Sequence, residues 1–147
     1  NDSYKHLSEL KKARADANSI ERALKSNGYS VTKKLDLTDA QMRKQVREFL
    51  RTLNKGDEVI FFYAGHGVQI NNSNFLLGTD IQGVDEKEVQ DEALPLQQIL
   101  KDFSTKQLKF TLAIIDACRD NPFQALGRNV GSRGLAPTNP VTGQMII

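Results

Sequence analysis

The stretch "FFYAGHGV" (residues 61–68) ends an apolar run with a histidine between two glycines. The run begins in "DEVIFFYA" (57–64), where consecutive apolar positions are typical of a strand covered by helices on both faces. "KFTLAIIDA" (109–117) predicts a second strand of this kind, and the only cysteine of the chain, Cys118, follows it. Each of the two predicted buried strands therefore ends at a residue that is able to do chemistry.

Helices and further strands are predicted before and between these two strands. The other predicted elements are a helix over 13–27 that stops at Gly28, a strand over 29–35, a helix opened by a Thr38–Gln41 capping box that stops near Gly56, a strand over 74–80 and a helix over 94–103. Strands that alternate with helices imply parallel crossovers. The sequence thus predicts an α/β fold with a mostly parallel sheet and helices on both faces.

Composition narrows the class of protein. A chain of 147 residues with 39% hydrophobic and 26% charged residues is typical of one globular domain, here residues 1–147. A net charge of +2 with both signs interspersed argues against a nucleic-acid partner, and no apolar run is long enough to span a membrane. One cysteine excludes an internal disulfide and, with two histidines, argues against a zinc site. A lone thiol suits a reducing compartment, so a cytoplasmic location is expected.

The amino-acid composition of the chain changes after residue 120. "NPFQALGRNVGSRGLAPTNPVTGQ" is rich in glycine, proline and asparagine and has no acidic residue. Segments of this length without regular structure are usually functional or disordered, so we predict a mobile loop over 121–143. The final "MII" has the composition of the beginning of another strand.

The two strand ends suggest a catalytic pair. Ligands of an open α/β sheet bind beyond the carboxyl ends of its strands, so His66 and Cys118 face each other if their strands are neighbours. The imidazole can turn the thiol into a thiolate nucleophile and later return the proton to a leaving amine. The amides of Gly67 and Cys118 can hold the oxyanion. The alternative is that Cys118 is a packing residue and His66 a polar turn residue.

The spacing of the two motifs matches a known pattern. A caspase cysteine motif has its histidine about 50 residues upstream, and here 52 positions separate His66 from Cys118. "FFYAGHG" followed by "AIIDACRDNPF" resembles the caspase-like cysteine peptidases, closest in texture to bacterial p20-type proteins grouped with metacaspases and paracaspases. The resemblance implies a three-layer α/β/α sandwich, a His66–Cys118 dyad, oxyanion donors at Gly67 and Cys118, and protein or peptide substrates.

The resemblance also implies a specificity. Caspases proper cut after aspartate, whereas metacaspases and paracaspases cut after arginine or lysine. They recognise this basic side chain with acidic residues. Asp116 and Asp16 match the acids of that pocket, and a carboxylate pair recognises a guanidinium well. Cleavage after Arg or Lys is therefore expected. The alternatives are a strand-end Asp116 bonded by backbone amides and an ordinary exposed helix acid at Asp16.

A basic specificity makes two residues of the predicted loop candidates for self-cleavage. Arg128 and Arg133 lie in its glycine-rich part, and exposed loop tips are readily cut. The alternative is that both arginines only keep the loop soluble.

The sequence departs from the family in two respects. Calcium-dependent metacaspases bind the ion through clustered aspartates; this chain has Asp91 but Gln90 and Ala125 at two other positions, so no cofactor is expected, with calcium kept as the alternative. The family's hydrophobic first strand, before "NDSY", and its strands after "MII" are also lacking here. We therefore expect a fragment of a longer chain, or missing strands supplied by a second subunit.

Three alternatives to a basic-specific peptidase remain open at this point. The chain could be a non-catalytic caspase-like module for protein interaction, or it could cut after aspartate as caspases do. A flavodoxin-like nucleotide binder is disfavoured, because no glycine-rich phosphate loop follows any predicted strand. Fast reaction of Cys118 with a thiol probe would indicate the enzyme, because an activated thiolate reacts faster than a buried thiol.

Overall fold

The computed structural model describes residues 1–117, 121–131, 135, 140 and 143–147. Its elements are α1 (Ala13–Ser26), α2 (Asp39–Thr52), β1 (Glu58–Gly65), β2 (Gly67–Ile70), β3 (Ser73–Leu76), α3 (Glu86–Glu92), β4 (Leu94–Pro95), α4 (Leu96–Ser104), β5 (Phe110–Ala117), a 3-10 turn (Gln124–Leu126) and β6 (Gln144–Ile146). No helix in this part of the chain has the length and apolarity needed to cross a membrane.

The main sheet joins the two apolar strands of the sequence. Its order is β1-β5-β6, and β1 pairs with β5 in parallel from Glu58↔Phe110 to Gly65↔Ala117. The final apolar residues form β6, which is parallel to β5. The predicted parallel sheet is therefore confirmed. The two strands are neighbours in it, which the sequence left as a condition, and both end at the same rim.

Helices cover the sheet on both faces. Val59 and Tyr63 of β1 and Ala113 of β5 share a core with side chains of α2 and α4, among them Met42 and Phe103. Helix α1 packs against β1 outside this cluster. At the start of α2, the Thr38 side chain accepts a hydrogen bond from the Gln41 amide at 3.2 Å, and Thr38 N donates to Gln41 Oε1 at 3.0 Å, which confirms the capping box.

A second, antiparallel sheet lies beside the first, in the order β2-β3-β4. Asn71 and Asn72 join β2 to β3 with φ of 49° and 61°, as a tight hairpin turn requires. The predicted strand over 74–80 is correct in kind but wrong in extent, because β3 covers only Ser73–Leu76 and pairs in this small sheet. Sequence reasoning missed the hairpin although its turn residues, two consecutive asparagines, are a recognised signal.

Residues 29–35 are not a strand, contrary to prediction. They line a largely apolar cavity of about 600 Å³ together with α1, α2 and the outer edge of β1. A β-strand needs a hydrogen-bonded neighbouring strand. The cavity separates residues 29–35 from β1, so this segment does not pair with β1. Ile60, Phe61 and Phe62 are only half-buried because they face the same cavity. We call this cavity the lateral cavity.

The described part of the predicted loop, residues 121–131, packs back onto the protein. Phe123 and Val130 are fully buried in the core of the small sheet. Asn121 Nδ2 donates to the Val130 carbonyl, and the Gly131 amide donates to Glu86 Oε1 at 3.1 Å. The mobility of 121–143 stays a prediction, but its first half has a defined place in this structure.

Candidate active site

The site lies where β1 and β5 end. Gly65 and Ala117 are Cα partners in the parallel register, and the residues that follow them in sequence are His66 and Cys118. Cys118 lies outside the described residues, as does Arg133. The register brings together the last described residues before the two candidate catalytic groups.

His66 is buried, and one hydrogen bond decides which of its ring nitrogens carries the proton. Its Nε2 lies 2.8 Å from the Ser8 carbonyl oxygen. A carbonyl oxygen can only accept, so in the neutral ring Nε2 holds the proton and Nδ1 holds the free lone pair. Nδ1 is buried and has no hydrogen-bond partner among the described residues. The nitrogen available as a proton acceptor is therefore Nδ1.

Burial lowers the pKa of His66 below its ordinary value, because the charged imidazolium loses solvation. The hydrogen bond to the Ser8 carbonyl acts in the opposite direction. The net effect favours a neutral imidazole at neutral pH, which is the form that can accept a proton. Sequence reasoning missed Ser8 because its contribution is a backbone carbonyl, which any residue type provides.

Gly67 presents its amide to the outer edge of the small sheet. The Leu77 amide donates to the His66 carbonyl at 3.0 Å, so this opposed pair is the hydrogen-bonded type. The next pair, Gly67↔Leu76, is then the non-hydrogen-bonded type, and the Gly67 N–H points away from β3. A Cβ at Gly67 would lie 2.9 Å from the Leu135 side chain. A side chain at position 67 would therefore require the Leu135 side chain to move.

The two candidate acids line one cavity. Asp16 of α1 and Asp116 of β5 share a cavity of about 380 Å³ with Gly65 and Ala117, and Lys11 and Lys12 also line it. Asp116 is exposed and Asp16 half-buried. No side-chain hydrogen bond or ion pair to either carboxylate occurs within the described ranges. The structure thus brings Asp16 and Asp116 together at the strand end that precedes His66; we call this space the acidic cavity.

The remaining predicted positions lie elsewhere. Arg128 is half-buried, and its guanidinium donates to the carbonyl oxygens of Gln82 and Gly83. Asp91 lies exposed on α3. Across residues 1–117 and the described part beyond, no group of three His, Cys, Asp or Glu side chains is placed to hold a metal ion.

Comparison with known proteins identifies the class. The family Peptidase C14, described as the caspase domain, matches residues 1–143, so the chain belongs to the caspase family. It is a caspase-like peptidase or a related module of that family.

Among curated proteins, the chain is 31% identical over 119 residues to the human mucosa-associated lymphoid tissue lymphoma translocation protein 1. The identity to the mouse homologue is also 31% over 119 residues. These matches cover 81% of this chain and 14% of each relative. The chain therefore spans about one seventh of the length of the curated relatives that it matches.

Proposed function

We propose that this protein is a cysteine endopeptidase in which Cys118 is the nucleophile and His66 the general acid and base. The observation that carries the proposal is the parallel register of β1 and β5, which pairs Gly65 with Ala117, the residues before His66 and Cys118. The buried His66 supports it, because its ring is held with Nδ1 free to accept a proton.

The chemistry follows from these groups. His66 Nδ1 takes the proton of the Cys118 thiol, and the thiolate attacks the scissile carbonyl carbon. The oxyanion that forms is stabilised by the amides of Gly67 and Cys118. His66 returns the proton to the leaving amine, which leaves a thioester on Cys118. His66 then activates a water molecule that hydrolyses the thioester and restores the thiol.

The acidic cavity supports cleavage after arginine or lysine. Lys11 and Lys12 line the same cavity, but neither forms an ion pair with Asp16 or Asp116 in the described structure, so both carboxylates can pair with a substrate side chain that brings its own positive charge. An aspartate side chain placed next to Asp16 and Asp116 would meet like charge instead, which disfavours cleavage after aspartate. Asp16 and Asp116 are therefore the proposed specificity residues.

The lateral cavity supports an additional strand. Its walls are the outer edge of β1, the extended run of residues 31–35 and apolar faces of α1 and α2. An edge strand presents unpaired backbone groups, and an apolar strand beside β1 would pair with them and fill the cavity. We propose that this strand comes from the same parent protein, as a further segment or a second subunit. It would hold β1 and, through β1, His66.

We also propose self-cleavage after Arg133 and after Arg128. Arg128 is bonded to the carbonyls of Gln82 and Gly83, so cutting after it first requires that these bonds be released. We expect the intact mass of the active protein to fall with time while a Cys118→Ala variant stays whole. Equal, unchanged masses in both samples would contradict self-cleavage.

The test of the proposed function is cleavage of fluorogenic peptides that end in Arg, Lys or Asp, with and without calcium. We expect cleavage after Arg and Lys that is lost in Cys118→Ala and does not need calcium. Cleavage only after Asp would retain the dyad and overturn the acidic cavity as the specificity site. No cleavage of any peptide, with Cys118 no more reactive to iodoacetamide than a free thiol, would indicate the non-catalytic interaction module.

A further inference from the structure

Two tyrosine hydroxyls hold the backbone of His66 on both sides. The His66 amide donates to Tyr4 Oη at 2.8 Å, and Tyr63 Oη donates to the His66 carbonyl oxygen at 2.7 Å. The Tyr4 ring also lies against the imidazole, with centroids 4.5 Å apart and planes tilted by 58°. The main chain of His66 and one face of its ring are therefore contacted by tyrosine side chains.

The two tyrosines belong to different cores. Tyr4 packs in the core of the small sheet, and Tyr63 packs in the core beneath the main sheet. Their hydroxyl oxygens are 3.4 Å apart, and each lies within hydrogen-bond distance of the Leu77 carbonyl oxygen, at 3.3 Å and 3.0 Å. His66 is the residue between β1 and β2, where the chain passes from one sheet to the other. The hydroxyls thus meet at the junction that positions the imidazole.

Gly65 leaves the space that these hydroxyls occupy. A Cβ at position 65 would lie 2.5 Å from Tyr63 Oη and 2.7 Å from Tyr4 Oη, which is too close for any side chain. The glycine before the histidine in the "AGHG" motif is therefore explained by the tyrosines. Its own backbone conformation does not require it, since its φ lies outside the left-handed region.

We propose that Tyr4 and Tyr63 are positioning residues that set the ring orientation of His66 through its backbone. They hold the His66 backbone in the position at which Nε2 contacts the Ser8 carbonyl oxygen. The hydrogen bond between these two atoms selects the tautomer in which Nδ1 carries no proton. The inference rests on the proposed function for its kinetic consequence, but the tautomer itself is measurable without any catalysis.

The first test is NMR of the two imidazoles in the full chain. The sequence has only two histidines, and His6→Gln assigns them. Long-range ¹H–¹⁵N spectra are expected to show His66 as the Nε2–H tautomer. In Tyr4→Phe/Tyr63→Phe the ¹⁵N shifts should move toward a mixture of tautomers. Tyr29→Phe, which removes the third hydroxyl of the three tyrosines, is the matched control and should leave them unchanged.

The second test is kinetic. If the wild type cleaves peptides, each Phe variant should lower kcat about tenfold or more with KM within twofold, since one hydrogen bond that orients the base is lost. An unchanged His66 spectrum and kcat in the double variant overturns the inference. A wild type that cleaves nothing contradicts the proposed function alone, because the spectra still decide the role of the tyrosines. If the double variant does not fold, the single variants decide, since each lacks one of the two backbone bonds.

Discussion

The two halves of the candidate site are built in different ways. The histidine half is closed: His66 is 4% exposed, and its amide, its carbonyl and Nε2 all have partners within the protein. The acidic half is open: Asp16 and Asp116 line a cavity, and their carboxylates have no hydrogen bond or ion pair in the described structure. In the histidine half the hydrogen-bond partners come from the protein itself. In the acidic half we expect the partner to be a substrate side chain.

This difference matches the two proposed roles, general base and specificity pocket. A general base must have one geometry for every substrate, so its hydrogen bonds are internal and its surroundings are dry. A specificity pocket must accept and release a charged side chain, so its acids stay accessible. Changes in the histidine half should therefore affect all substrates, and changes in the acidic half should affect only cationic ones.

The largest expected effect is the loss of the base. His66→Gln should lower kcat/KM about 10²- to 10⁴-fold for every cleavable peptide, because general acid–base catalysis contributes about this much. Rates are compared on one peptide ending in Arg and one ending in citrulline, which has the same shape without the charge. His6→Gln, at an exposed position, is the control. A loss confined to the Arg peptide would contradict the proposed role of His66.

The acidic half should show the opposite selectivity. Asp116→Asn or Asp16→Asn should lower kcat/KM for the Arg peptide about 10- to 100-fold, the effect of losing one charge-assisted hydrogen bond. The citrulline peptide should be cleaved as by the wild type. Glu48→Gln replaces an acid that is 48% exposed on α2 and serves as the matched control. Equal losses on both peptides would mean that these acids do not read charge.

In the histidine half, an added side-chain atom should lower the stability of the protein. Gly65→Ala is expected to reduce the free energy of unfolding by about 1–3 kcal/mol, as overpacking does, because the new methyl group meets both tyrosine hydroxyls. Urea unfolding measures this cost. In the Tyr4→Phe/Tyr63→Phe background both clashing oxygens are absent and the ring carbon Cζ of residue 63 remains close, at 2.8 Å, so the cost should shrink without vanishing. The same cost in both backgrounds would place the clash elsewhere.

The smallest expected effect is on the pH dependence of stability. The native pKa of His66 is lowered by burial, so the unfolded state takes up the proton first as pH falls. Stability should therefore decline as pH drops below the ordinary histidine pKa, with a slope of at most about 1.4 kcal/mol per pH unit for one proton. The loss is complete once pH passes below the native pKa. Urea unfolding of wild type and His66→Gln between about pH 4 and 8 should show a flatter acid side in the variant. Identical profiles would contradict a buried neutral imidazole.

Particular residues show how far sequence reasoning reached. The apolar runs before His66 and Cys118 predicted the parallel pair β1–β5, because buried strands have a period and composition that local sequence displays. The capping box at Thr38 was predictable for the same reason. The strand over 29–35 was wrong, since pairing depends on a neighbour that local sequence does not reveal. Helix α3 was missed, although Asp85 and Glu88 at its start form a capping signal.

By itself, the sequence determined the fold class, the family and the two strand ends at which chemistry is proposed. Tertiary structure alone decided which nitrogen of His66 is free and why residue 65 is glycine, and it placed Asp16 and Asp116, which the resemblance had assigned to one pocket, in a common cavity. The physical reason is that these properties depend on contacts between distant segments: Ser8 and Tyr4 with His66, α1 with β5, and two tyrosine hydroxyls from different cores with one glycine. Local sequence records propensity and periodicity, whereas such contacts exist only once the chain has folded.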